Sequence, residues 1–193
     1  MRAFIAIDLP ESVRSFLRQK QLDFQASLGH SAKDKRGRGL DMRWSRPEGI
    51  HLTLKFLGEI SDTRVKQVSD TLAALPPFKS FPVEVRGFGF FPGPARPRVF
   101  WAGVEAPPDL AELAGRVEDR MEKLGFPPEA RNFNPHLTLA RFKDPRPVPA
   151  LLALVEQQGN PSFGKFEASE YFLFESKLSP HGSEYRKVAR FPH

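Results

Sequence analysis

The chain has 193 residues, of which 40% are hydrophobic and 27% charged, the balance of a globular protein with one domain or two small lobes around a real core. It contains no cysteine, which excludes disulfides and thiolate metal sites, and no run near the roughly 20 apolar residues that a membrane span needs. The apolar N-terminus is interrupted by Asp8 and Pro10 and is too short for a signal peptide, so we expect a cytoplasmic protein.

The formal net charge of +6 favours polyanionic partners such as nucleic acid. Basic residues are concentrated between Gly29 and Arg43, where only Asp34 and Asp41 oppose them: Lys33, Lys35, Arg36, Arg38 and Arg43. A solvated, flexible loop is the ordinary interpretation of such a stretch. The functional alternative is a basic arm that follows a nucleic-acid backbone, and both interpretations stay open.

The first half of the chain predicts the order strand, helix, strand, helix, strand from its apolar periodicity and its Pro/Gly punctuation. In chain order we expect a strand over residues 2–8, a helix from Pro10 to Leu28, a short extended piece from Met42 to Ser45, a turn at Pro47–Gly49, a strand from Ile50 to Leu57, a helix capped by Ser61 that ends at Leu75, and a strand from Pro82 to Phe90.

The second half predicts the same order after a Pro/Gly turn. Its elements are a strand from Arg98 to Val104, a helix from Pro107 to Leu124, a strand from His136 to Phe142, a helix from Pro149 to Gln158, a strand from Phe166 to Ser176, and a last strand from Glu184 to Phe191. This parallel indicates an internal duplication. The predicted class is α+β, with two similar lobes around a cleft in a single domain over residues 1–193.

The tetrapeptide His-Leu-Thr-Leu occurs twice, beginning at His51 and at His136. Alternate side chains of a strand share a face, so each copy presents an imidazole and a hydroxyl on one side and two leucines on the other. Two such strands placed face to face would offer two imidazoles and two hydroxyls to one target. These four groups suit acid–base chemistry on an oxyanion such as a phosphate.

A lone strand histidine is more often structural than catalytic, but two identical copies at equivalent points of a repeated pattern favour a shared site. Zinc binding is disfavoured because the chain has no HExxH, no His/Cys pair and no close carboxylate triad. It also has neither GxGxxG nor GxxxxGK[ST], so nucleotide-binding loops are not indicated. We expect metal-free chemistry without a cofactor.

Four neighbours of the two motifs are further candidates. Lys55 follows Thr53 by two residues, so it either shares the face of Thr53 or is an ordinary solvated lysine. Arg141 follows His136 by five, so strict alternation puts it on the opposite face unless the strand bends. Trp44 and Phe56 could stack on a base, although packing is the commoner role of each.

The chain resembles the 2H phosphoesterase superfamily, and within it the RNA 2′,3′-cyclic phosphodiesterase family (LigT/ThpR), formerly called 2′-5′ RNA ligase. Besides the two motifs, the resemblance covers the stretches RAFIAI from Arg2, HLTLKFLGE from His51, GFGFFP from Gly87, RVFWAGV from Arg98, NPHLTLAR from Asn134 and LFESKLSPHGSEY from Leu173. One departure is the basic stretch from Gly29 to Leu40, which is longer than this region usually is.

The resemblance implies a bilobed fold with pseudo-twofold symmetry, in which the termini can contribute to one lobe. It implies hydrolysis of RNA 2′,3′-cyclic phosphate ends to 2′-phosphates, with His51 as general acid and His136 as general base. Thr53 and Thr138 would hydrogen-bond the non-bridging oxygens, and Arg141 would add a positive charge there or contact the nucleotide. We expect a monomer with an RNA substrate and no membrane partner.

Three alternatives stay open. The same histidines could run the reverse reaction as a 2′-5′ RNA ligase. The basic charge could serve a non-catalytic RNA-binding module, which the intact histidines and threonines of both motifs disfavour. The protein could also act on another cyclic phosphate, since such motifs fix the reaction at phosphorus while cleft shape sets specificity.

Overall fold

The computed structural model describes residues 1–29, 41–179 and 182–192. Most of the predicted basic arm falls outside these residues. Within them, the helices are α1 (Glu11–Leu28), α2 (Asp62–Ala73), α3 (Pro108–Lys123) and α4 (Pro149–Gln158). The strands are β1 (Arg2–Ile7), β2 (Met42–Trp44), β3 (Leu52–Glu59), β4 (Phe81–Phe91), β5 (Val99–Glu105), β6 (His136–Phe142), β7 (Ser162–Ala168), β8 (Glu170–Ser179) and β9 (Gly182–Pro192).

These strands form two antiparallel sheets, one in each lobe. The first sheet has the order β3-β1-β8-β9, so strands from both ends of the chain build it together. The second has the order β2-β6-β5-β4-β7. The predicted α+β class with two antiparallel lobes is confirmed, as is the expectation that the termini contribute to one lobe.

The two halves of the duplication exchange their third strands. β1 and β3 of the first half are completed by β8 of the second half, whereas β5 and β6 of the second half are completed by β4 of the first. The exchange explains why a repeat that is easy to see in the sequence does not coincide with the lobes. Each lobe is therefore a mixture of both halves.

The first helix of each half also crosses to the other lobe. α1 packs against β7 of the second sheet and against α4, while α3 packs against β3 of the first sheet and against α2. The Gln21 side chain of α1 donates to the carbonyls of Ser45 and Leu139, and Phe24 meets Phe100 edge-on, so this helix is fixed to the strands of the second motif. Each helix thus shields the apolar face of a sheet built around the other half's motif.

The predicted strand from Phe166 to Ser176 is wrong as a single element. β7 ends at Ala168 after pairing with β4, and β8 begins at Glu170 and pairs with β1. The chain therefore changes sheets at Ser169. Apolar and aromatic residues lie on both sides of this point and only Ser169 and Glu170 separate them, so the hydrophobic pattern gives a weak sign of the switch.

Candidate active site

A cleft of about 630 Å³ lies between the two lobes, and all five predicted site residues line it. They are His51, Thr53, His136, Thr138 and Arg141. β3 supplies Thr53, His51 directly precedes this strand, and β6 supplies the other three. The alternation predicted for each motif is confirmed, because the two leucines of each copy are buried while the histidine and threonine face the cleft.

Arg141 reaches the cleft because β6 contains a bulge. Phe100 pairs with Ala140 but the next residue of β5, Trp101, pairs with Thr138, so Leu139 is the extra residue. A bulge of one residue shifts the side-chain alternation by one position. Leu139 and Ala140 are both buried in succession, and Arg141 returns to the face of the motif. The bend that the sequence-based argument required is present.

The same irregularity in β3 shows that Lys55 does not share the face of Thr53. Ile5 pairs with Lys55 and Ala6 pairs with Thr53, which leaves Leu54 as the extra residue. Lys55 consequently points into the protein and is only 2% exposed. Its amine donates to Glu118 at 2.6 Å and to the carbonyl of Pro127 at 2.7 Å. Both sequence-based interpretations of Lys55, a cleft residue and a solvated lysine, are wrong.

The imidazole of His51 is held between aromatic rings. Phe4 stacks on it with a centroid distance of 4.3 Å, and Tyr185 meets it edge-on at 5.1 Å. Its Nδ1 lies 2.7 Å from the carbonyl oxygen of Gly49. Gly49 has to be glycine here, since a Cβ would lie 2.6 Å from the Tyr185 ring. These contacts fix the ring in one orientation.

His136 is held in a comparable way on the opposite wall. Its Nδ1 lies 2.8 Å from the carbonyl oxygen of Asn134, and Phe91 meets its ring edge-on at 4.8 Å. Phe91 belongs to β4 and stands where Phe174 of β8 stands beside His51, at 6.0 Å. The exchanged strands therefore bring an equivalent phenylalanine to each histidine.

The carbonyl contacts determine which ring nitrogen can transfer a proton. A carbonyl oxygen only accepts, so Nδ1 of each histidine carries the hydrogen and donates it. In the neutral ring Nε2 is then the basic nitrogen, and in the charged ring it is the donor to a ligand. Both histidines thus have a fixed tautomer and one free nitrogen, which is what a proton-transfer group requires.

Burial lowers the pKa of His51 to about 4 and also lowers the pKa of His136 below its usual value. The positive charge of Arg141 lowers the pKa of both. Each backbone carbonyl contact acts in the opposite sense. In the free protein at pH 7 both rings are neutral. A bound phosphate would favour the charged form, because its negative charge attracts the imidazolium.

Two residues of the cleft that the sequence argument did not single out are Phe4 and Tyr185, which hold His51. They come from opposite ends of the chain, and only the family-like stretches around them drew attention to these positions. Phe56 lines the cleft and is 53% exposed, as a stacking residue requires. Trp44 also lines the cleft but packs edge-on against Phe100, so its ring has a structural role as well.

The comparisons with known proteins agree with this geometry. A sequence profile of the 2′-5′ RNA ligase superfamily matches residues 30–177. The chain belongs to this superfamily. Proteins named RNA 2′,3′-cyclic phosphodiesterase are 38% identical in Aeropyrum pernix, over 78% of this chain and 85% of the relative, and 31% identical in Archaeoglobus fulgidus, over 99% of both. The crystal structure of the Thermus thermophilus protein TT0787 superposes with a TM-score of 0.73 and 31% identity, covering 100% of this chain and 97% of that one.

The described residues show neither a membrane-spanning helix nor a metal-binding cluster. Among the described helices of this superfamily member, none combines the length and apolarity needed to cross a membrane. In the same part of the chain, no three histidine, aspartate or glutamate side chains converge in a group that could hold a metal ion.

Proposed function

We propose that this protein hydrolyses 2′,3′-cyclic phosphate ends of RNA to 2′-phosphomonoesters. One observation carries the proposal: two histidines face one cleft from opposite lobes, and each donates Nδ1–H to a backbone carbonyl so that Nε2 is left for proton transfer. The names of relatives that align over most of the chain support the same substrate class. The basic net charge of +6 suits a polyanion.

In the proposed reaction a water oxygen bonds to phosphorus and the bond from phosphorus to the 3′ oxygen breaks. His136 accepts the proton of the attacking water at Nε2. His51, charged once substrate is bound, gives its Nε2 proton to the departing 3′ oxygen. The product is a 2′-phosphate with a free 3′-hydroxyl, and the two histidines end with exchanged protonation states.

The other three site residues act on the phosphoryl oxygens in this proposal. The hydroxyls of Thr53 and Thr138 donate to the non-bridging oxygens from opposite sides, where negative charge grows in the transition state. Arg141 adds a fixed positive charge, which supports the same oxygens and draws the anionic substrate into the cleft. Donors that are positioned before the reaction stabilise the transition state more than donors that must reorient.

The assignment of acid and base can be tested with a sulfur-substituted substrate. A cyclic phosphate with sulfur in place of the bridging 3′ oxygen expels a thiolate, which needs no proton. We expect His51→Ala to lose much less activity on this substrate than on the oxygen parent, while His136→Ala loses as much on both. The opposite pattern would exchange the two roles.

Ligation through a 2′-5′ bond is a second candidate, favoured by the superfamily that the profile describes. A 5′-hydroxyl of a second RNA would take the place of water, lose its proton to His136 and bond to phosphorus as the bond to the 3′ oxygen breaks, which leaves a 2′-5′ linkage. Incubation of both ends at high concentration, with the linkage identified by its resistance to nucleases that cut 3′-5′ bonds, tests this activity.

We further propose that catalysis needs no metal or other cofactor and that residues 1–193 act as one domain, a cytoplasmic monomer. Both histidines come from the same chain, so a second copy is not needed to complete the site. Full turnover in excess chelator and a monomer mass in sedimentation would support this, whereas rescue of a chelated, inactive protein by added zinc would contradict it.

The deciding experiment is incubation of the purified protein, with chelator present, with a short RNA ending in a 2′,3′-cyclic phosphate. We expect a 2′-phosphate product that disappears when either motif histidine is replaced. A 3′-phosphate product would mean that the substrate lies reversed between the histidines. Absence of hydrolysis by the intact protein would contradict the proposal and favour another cyclic phosphate or RNA binding alone.

A further inference from the structure

A second cationic side chain lies directly beside Arg141 on the wall of the cleft. In the antiparallel pairing of β2 with β6, Arg43 stands opposite Arg141. The Ser45 amide donates to the carbonyl of Leu139 two residues along, so the two arginines are also a hydrogen-bonded pair, with Cα atoms about 5.5 Å apart. Directly opposite residues project on the same face, and both arginines line the cleft.

The charges of this pair are not neutralised. Within residues 1–29, 41–179 and 182–192, neither guanidinium has a hydrogen bond or an acidic partner. Neighbouring cations differ in this respect, since Lys143 pairs with Asp41 at 3.3 Å and Arg46 lies 3.8 Å from Glu184. Like charges placed directly opposite destabilise a sheet. An arrangement that opposes folding and faces a cleft is typical of a site for anions.

The place of Arg43 separates it from the reacting group. β6 carries His136, Thr138 and Arg141 along one face, whereas Arg43 lies on the neighbouring strand at the edge of the sheet. The charge of Arg141 lowers the pKa of both histidines. The two guanidiniums therefore serve different positions in the cleft.

We propose that Arg43 binds a phosphodiester group of the RNA chain adjoining the cyclic phosphate, and so makes the protein selective for oligonucleotide ends over mononucleotide 2′,3′-cyclic phosphates. The inference rests on the proposed function. A guanidinium suits this task because its planar fork matches two phosphate oxygens at once. Arg141 serves the reacting phosphate, and Arg43 recognises the next one.

The test compares two substrates with the same terminal nucleotide, cytidine 2′,3′-cyclic phosphate and an RNA trinucleotide that ends in it. For Arg43→Gln we expect kcat/KM on the trinucleotide to fall about tenfold, mostly through KM, because one charge-assisted contact is lost. Turnover of the mononucleotide stays within about twofold, since no contact to it is lost. The salt dependence of trinucleotide binding weakens by about 0.7 in its logarithmic slope.

Lys143→Gln is the matched control, since it removes the same charge close to β2 but from a lysine already paired with Asp41. We expect changes of less than about twofold on both substrates. The thermal midpoint of Arg43→Gln should equal or exceed that of the wild type, because a like-charge pair is relieved. A merely structural role would lower the midpoint and affect both substrates equally.

Two kinetic results would overturn the inference: an equal loss on both substrates, which would put Arg43 at the reacting phosphate, or no loss on either. If the intact protein turns over neither substrate, the proposed function fails separately. Fluorescence anisotropy with a labelled trinucleotide ending in a 3′-phosphate then decides about Arg43. A Kd that Arg43→Gln leaves unchanged would reject the subsite.

Discussion

The two His-Leu-Thr-Leu strands present the same chemistry on opposite walls of the cleft, yet the next two residues differ. After the bulge, the first lobe directs Phe56 into the cleft and the second directs Arg141. Proton transfer at two ends of a phosphorus needs two similar groups, whereas a nucleotide has an apolar base at one side and a phosphate at the other. In the proposed reaction, the identical part of the motif serves the symmetric task, and the divergent part serves the asymmetric one.

The inward-facing residue after each bulge differs as well. Ala140 fits under the second sheet without a polar group, but Lys55 extends from β3 to Glu118 on α3 and to the carbonyl of Pro127. Glu118 also accepts from the amide of Glu129. The residue that follows the first motif therefore fastens the beginning of the segment that leads to the second histidine.

Removal of one imidazole should cause the largest loss of activity, because it takes away one of the two similar groups. We expect His51→Ala or His136→Ala to reduce kcat on an RNA cyclic phosphate by about 10²–10⁴-fold, because each carries one of two proton transfers. Single-turnover kinetics would measure the loss. Near-wild-type rates in either variant would contradict the two-histidine scheme, whereas circular dichroism should show both variants folded.

Replacing Arg141 tests the residue that follows the bulge in the second lobe. Arg141→Gln should lower kcat/KM by about 10²-fold, since a fixed charge at the phosphoryl oxygens is lost. Removal of its charge should also raise the pKa of both histidines and move the activity optimum to higher pH. Arg141→Lys keeps the charge and should recover part of the activity and the original optimum. An unchanged optimum in the glutamine variant would separate Arg141 from the histidines.

Replacing Lys55 by alanine, the residue of the other lobe, should cost stability. The carboxylate of Glu118 would lose its partner, and the unfolding free energy should fall by about 3 kcal/mol, the low end for a broken buried pair because Glu118 is 24% exposed. Urea denaturation measures the change. Lys66→Ala, which removes an exposed pair with Asp70, is the control and should change stability by less than about 0.5 kcal/mol.

The pH dependence of kcat/KM tests whether the two histidines act in different protonation states. The proposed reaction needs one charged and one neutral ring, while the pKa of His51 is about 4 and that of His136 lies below its usual 6.5. Above both values the charged fraction falls with pH, and below both the neutral fraction is lost. We therefore expect a bell-shaped profile of kcat/KM against pH with its maximum below pH 6.5. At higher pH, kcat/KM should decrease about tenfold per pH unit. A plateau from pH 7 to 9 would contradict this.

The smallest expected effect concerns Phe56. Phe56→Ala should raise KM for an RNA end about tenfold and leave kcat nearly unchanged, because stacking on a base is worth roughly 1–3 kcal/mol. Phe16→Ala provides a matched control, since Phe16 lies on α1 and is similarly exposed, at 57% against 53%. Equal effects of the two variants would mean that Phe56 does not contact the substrate.

The sequence predicted the local elements and the motif faces well, because hydrophobic alternation and helix signals are local. It could not predict the position of Arg141 or Lys55, since a bulge depends on register with a neighbouring strand. Nor could it predict the sheet switch at Ser169, because pairing partners more than 70 residues away decide it. Phe4 and Tyr185 were missed for the same reason: only the folded chain brings its two ends to His51.

The exchange of strands between the halves has a consequence for how the protein is made. β1 leaves the ribosome long before one of its two neighbours, β8, which occupies residues 170–179. The second sheet needs nothing beyond residue 168, so it can close while the first still waits for its partner. Because synthesis adds about 5–20 residues per second, β1 remains without that neighbour for roughly ten seconds or longer. The wall that carries His51 is thus the last part of the cleft to form.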